Sequence, residues 1–138
     1  MRRAFLVVPL MFLATLGFTA PAWAGSPHFV HPFGVTRADD TLTVSGKEAG
    51  LGDETQVHIQ VTATAECINR GGNHPKAANK ESLNAAGDFP VQNGKADFSL
   101  TLTAVFQPPC SPPMTVVFTD VVVSDTAHGL VESIPGTF

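Results

Sequence analysis

Between Gln56 and Cys67 apolar and polar residues alternate without a break, Val57, Ile59, Val61, Ala63, Ala65 and Cys67 falling between Gln56, His58, Gln60, Thr62, Thr64 and Glu66. Period two over this length predicts a strand with one dry and one wet face. Ala96 to Phe106 repeats the pattern, with Ala96, Phe98, Leu100, Leu102, Ala104 and Phe106 on one side and Val105 as the apolar exception on the other. Just upstream, Asn93-Gly94 suits the positive φ angles of a tight turn, so Asp88–Gln92 and Lys95–Phe106 are expected to pair as a hairpin.

Met114–Ser124 is apolar on both faces, which predicts a central strand with a bulge near Asp120. Shorter strands are expected at Thr41–Ser45, with Leu42 and Val44 inward, at Gly129–Ser133, and at an edge over Phe29–Val35. No segment after residue 24 carries a helical period, and Ser82–Ala86 is expected to make one turn at most. About seven short strands divided by Gly, Pro and Asn turns predict an all-β fold, an immunoglobulin-like antiparallel β-sandwich; a small β-barrel is the alternative. Residues 25–40 then form an N-terminal segment with the edge strand, and residues 41–138 a single sandwich domain.

The first 24 residues read differently. Arg2 and Arg3 precede an apolar run from Ala4 to Phe18, then Pro21 and the small-x-small triplet Ala22-Trp23-Ala24, the pattern of a signal peptide cleaved before Gly25. The run is shorter than the roughly 20 apolar residues that span a bilayer, and no later segment reaches that length, so no membrane span is expected after cleavage. Arg2-Arg3 with Phe5-Leu6 has features of a twin-arginine signal, but the short charged region and strongly apolar run favour the Sec route. No cysteine follows the cleavage site to carry a lipid. The expected location is secreted, outside the cell.

Cleavage removes two of the eight basic residues, so the net charge moves from −4 for the whole chain to −6. That sign argues against nucleic acid, which demands a basic surface. In an exported chain the two cysteines have one intramolecular pairing, Cys67 with Cys110, and a structural disulfide is expected. Pro108, Pro109, Pro112 and Pro113 restrict the backbone around Cys110.

The stretch Asn69–Gly87 reads as a long polar loop, and loops of that length in compact domains are usually functional. Asn69, Arg70, Gly71, Gly72, Asn73, His74, Lys76 and Lys80 are its candidate binding residues, with Gly71-Gly72 able to offer backbone N–H groups to an anion beside Arg70 and Lys76. The phosphate-loop spacing is missing. A plain surface crossover is the competing reading.

Five histidines raise a metal question, since imidazole is the commonest ligand. Their spacing argues against a site: His28 and His31 lie in an extended segment, His58 is alone on a wet face, and His74 and His128 fall in separate loops. No metal and no cofactor are expected. Asp39, Asp40, Asp53 and Glu54 sit in turns, where carboxylates solvate or cap the backbone, and two adjacent acids fall short of the oxygens a Ca²⁺ site needs. Neither a Gly-x-Ser-x-Gly elbow nor a His-Glu-x-x-His helix occurs. The chain is therefore expected not to be an enzyme.

There is no Tyr, and the one Trp is Trp23, which lowers the prospect of a carbohydrate- or antibody-like surface. The strings Leu42-Thr43-Val44-Ser45-Gly46, Gly50-Leu51-Gly52, Cys67-Ile68-Asn69-Arg70-Gly71-Gly72-Asn73 and Val91-Gln92-Asn93-Gly94-Lys95-Ala96-Asp97-Phe98, followed by Cys110, resemble small secreted proteins of Gram-positive bacteria. The resemblance implies a compact disulfide-bearing β domain outside the membrane and brings no catalytic residue. The functional expectation is a binding module that contacts a protein or cell-envelope component through residues 69–87. A structural or matrix protein of the envelope is the alternative, and a metal protein or hydrolase using His74 comes third.

Overall fold

The structure is a computed structural model, and it describes residues 25–69 and 79–138. Seven strands follow in chain order: β1 (His28–Ala38), β2 (Thr41–Ala49), β3 (Gln56–Ile68), β4 (Lys80–Pro90), β5 (Lys95–Thr103), β6 (Thr115–Asp125) and β7 (Leu130–Ile134). They form two antiparallel sheets, one ordered β1-β2-β5 and the other β4-β3-β6-β7. The sheets do not join into a closed barrel, so the fold is a β-sandwich with one disulfide. Among the described residues no helix is long and apolar enough to cross a membrane.

Alternation builds the core. On β3, Val57, Ile59, Val61, Ala63, Ala65 and Cys67 are all buried, and Ala96, Phe98 and Leu102 of β5 face them from the other sheet. On β2, Leu42 and Val44 are fully buried, and the same phase carries inward through Gly46 to Glu48, whose side chain is also fully buried. A Cβ at Gly46 would lie 2.7 Å from the Phe98 ring and 2.8 Å from Phe33, so the rings take the space a side chain would need.

β6 is apolar on both faces because its register changes partway. Thr64 of β3 pairs with Thr119 and Thr62 with Val122, so a single residue of β3 faces two of β6, with Asp120 in the left-handed region at φ 52°. The extra residue shifts the inward phase from Val116 and Phe118 to Val121, Val123 and Asp125. Without it Asp125 would face the other side of the sheet.

Three expectations are corrected. The polar loop does not run to Gly87, because Lys80–Pro90 is a strand paired along β3 from Glu66↔Lys80 to Gln56↔Pro90. Ser82–Ala86 is accordingly extended and not a helical turn, its inward positions held by Leu83 and Ala85. The hairpin between Asp88–Gln92 and Lys95–Phe106 does not form as a paired ribbon. Asn93 and Gly94 have the expected positive φ, 53° and 72°, but the turn closes only the Gln92↔Lys95 bridge. From there β4 stays with β3 while β5 joins β2, so the turn carries the chain from one sheet to the other. Phe89 and Phe98, with ring centroids 6.0 Å apart, pack across the gap.

Candidate functional site

At the Ile68 end of β3 the disulfide between Cys67 and Cys110 is formed, with Cα atoms 5.8 Å apart. Cys67 pairs with Val116, so the Pro-rich connection after β5 is tied beside the start of β6. Next to it Lys80 Nζ lies 2.6 Å from Glu66 Oε1, whose side chain is 7% exposed. The two strands leading into and out of residues 69–79 are thus cross-braced. Of the candidate binding residues, Asn69 is exposed and Lys80 is the partner of Glu66; Arg70, Gly71, Gly72, Asn73, His74 and Lys76 lie outside the described residues.

The opposite end of the sandwich brings together four ionisable side chains from two distant stretches of the chain. Glu48 comes from the end of β2, Glu54 from the β2–β3 connection, Asp125 from the last position of β6, and His128 from the turn before β7. Asp125 Oδ1 accepts hydrogen bonds from the backbone N–H groups of Ala127 at 2.9 Å and His128 at 3.3 Å, which folds the turn back over the carboxylate. Its Oδ2 lies 2.5 Å from His128 Nδ1, and Glu54 Oε1 lies 2.7 Å from His128 Nε2. Two ring nitrogens facing two carboxylates both donate, so the imidazole is held as the cation.

That arrangement raises the His128 pKa from 6.5 to about 9, through the hydrogen bonds to Asp125 and then Glu54, against the opposing effect of burial. Glu48 is different. Its Oε1 lies 3.7 Å from His128 Nδ1, too far for a hydrogen bond, and neither oxygen has a hydrogen-bond partner. Burial first, then the negative charge of Asp125 and a hydrogen bond with it, raise its pKa from 4.5 to about 7. The absence of a partner and the bond to Asp125 describe two protonation states. As two carboxylates the acids have no donor between them, and with a proton on Glu48 they share one.

Among the described residues the other histidines stay apart from this cluster. His58 Nδ1 pairs with Asp88 Oδ1 at 2.6 Å, both side chains more than half exposed, and His31 Nε2 meets Glu132 Oε2 at 2.9 Å across the β1 and β7 edges. His28 Nδ1 lies 2.8 Å from the Ser26 carbonyl. Asp39 and Asp40 form the β1–β2 turn and are exposed. Spacing along the chain offers only the Asp125–His128 pair, three residues apart, and Glu48 and Glu54 reach His128 through the fold. The signal that was available is phase: Glu48 continues the inward positions of Leu42 and Val44, and Asp125 those of Val121 and Val123.

The chain matches no protein-family model, and no curated protein is significantly similar to it.

Proposed function

We propose that this chain is an exported, non-catalytic binding module with an immunoglobulin-like sandwich, and that residues 69–79 contact a protein or cell-envelope component. The observation that carries this reading is the braced base of that segment. Pairing of β3 with β4 runs to Glu66↔Lys80, and the next residue, Cys67, is bonded to Cys110. Hairpin connections usually take two to five residues, and a longer polar one on a rigid base is a common way to present a recognition loop. Arg70 and Lys76 give it basic character in an acidic chain.

Export is supported by the charged, apolar and small-residue succession over residues 1–24 and by the disulfide, which persists in oxidising compartments. The immunoglobulin-like reading is supported by strand order. Lettered A to G along the chain, the sheets are A-B-E and D-C-F-G, differing from the constant-domain pattern in that D lies beside C. The disulfide also departs from that pattern, since it leaves the end of the third strand.

The test compares the oxidised chain with a variant in which residues 70–78 are replaced by a short Gly-Ser linker, both applied to isolated envelope fractions and secreted protein of the producing cell. Saturable binding lost in the variant is the expected result. Equal binding by both forms would refute the role of the segment.

A further inference from the structure

We propose that Glu48, Asp125 and Nδ1 of His128 form a binding site for one divalent cation of borderline softness, the class to which Zn²⁺ belongs. One ligand atom from each of the three lies within 4.8 Å of the others, close enough for a single ion to reach all three. The independent sign of a ligand is Glu48: its side chain is fully buried and directed at the other two groups, and as an ionised carboxylate it has no hydrogen-bond partner on either oxygen. A buried polar group left without a partner is costly, and native proteins rarely keep one without a ligand, ion or water to satisfy it.

The donor set selects the ion. Two carboxylates and an imidazole suit Zn²⁺ and its first-row neighbours, with a fourth position left to water. Ca²⁺ prefers six to eight oxygens and is disfavoured by a buried site with an imidazole. Two carboxylates also balance the charge of a divalent ion when His128 is neutral. Binding displaces the Nδ1 proton of His128 to solvent, together with the proton on Glu48 when it carries one.

Glu54 completes the arrangement from outside. With Nδ1 on the metal, Nε2–H keeps its 2.7 Å hydrogen bond to Glu54 Oε1, the outer carboxylate that fixes tautomer and ring orientation at metal-bound histidines. Glu48 belongs to the three-stranded sheet, while Asp125 and His128 come from β6 and its turn in the four-stranded one. A bound ion therefore ties the two sheets together at the end away from the disulfide.

The experiment titrates the oxidised, chelator-stripped chain with Zn²⁺ by calorimetry and by competition with a chromogenic chelator, and follows melting temperature in parallel. One Zn²⁺ per chain is expected, with a raised melting temperature that Ca²⁺ does not reproduce. Glu48→Gln preserves volume and should weaken binding by about a hundredfold or more, and Glu54→Gln by about ten- to a hundredfold. His58→Ala, at the exposed His58–Asp88 pair, should leave it unchanged. Circular dichroism verifies that each variant is folded, and the Glu54 variant, altered at a partly exposed side chain, decides the matter should Glu48→Gln not fold. No stoichiometric Zn²⁺ binding, binding unaffected by these substitutions in folded protein, or binding lost with His58→Ala would overturn the proposal.

Discussion

At one end of the sandwich Cys67 is bonded to Cys110 and β6 begins beside the bond; at the other, Glu48, Glu54, Asp125 and His128 meet through charge and hydrogen bonds, with no disulfide. The disulfide stabilises mainly by restricting the unfolded chain, and its contribution does not depend on which protons or ions are present in the native state. The charged end behaves in the opposite way. Its stability depends on what balances three carboxylates around one imidazole, a proton or a metal ion. The difference separates a permanent fastening from a conditional one at the two ends of the same sandwich.

Removing the permanent fastening should have the largest effect. The bond closes a loop with a sequence separation of 43 residues, for which chain entropy gives about 4 kcal/mol. Cys67→Ser with Cys110→Ser should lower the unfolding free energy in urea by that amount. Next comes Asp125→Ala, which removes the acceptor for two backbone N–H groups and the main partner of His128 while leaving Glu48 buried. A loss of about 3 kcal/mol is expected in the same assay.

The conditional fastening predicts a gain from one conservative change. In chelated protein at pH 8, Glu48→Gln removes a buried charge and offers Asp125 an N–H donor, so it should raise stability by about 1 kcal/mol. The pH profile sharpens the contrast. Both folded pKa values lie above their ordinary ones, so both groups contribute stability at low pH and lose it as pH rises. The Glu48 contribution fades between pH 4.5 and about 7, and the His128 contribution between 6.5 and about 9. Chelated wild type should therefore lose stability from pH 5 to 9 in urea titrations, with the lower part of the decline missing in Glu48→Gln. The smallest effect belongs to the exposed His58–Asp88 pair, where His58→Ala should change stability by less than about 0.5 kcal/mol.

Much of the fold is legible in the sequence where large apolar residues mark the inward phase. β3 and β5 declare themselves through Val57, Ile59, Val61, Phe98 and Leu102, and the bulge at Asp120 follows from apolar residues on both faces of β6. β4 is obscured because small residues, Ala85 and Gly87, hold two of its inward positions, and a Cβ at Gly87 would already touch the Phe89 ring at 3.4 Å. The Asn93-Gly94 turn is correctly marked, yet turn chemistry is local and does not specify which sheet each flanking strand joins.

The charged end was legible only in part. Glu48 and Asp125 stand in phase with buried aliphatic residues, but the bulge that turns Asp125 inward must be placed before that phase can be read. Glu54 and His128 lie 74 positions apart in sequence, and no local rule pairs them.

The most direct test is a cycle of four unfolding measurements in urea with chelator at pH 8: wild type and Glu48→Gln, each with the disulfide intact and with both cysteines changed to Ser. The two ends act independently if loss of the bond costs about 4 kcal/mol in either background, Glu48→Gln stabilises in either, and the shifts add within about 0.5 kcal/mol. Destabilisation by Glu48→Gln, or a disulfide contribution that depends on residue 48, would contradict the division into a permanent and a conditional fastening.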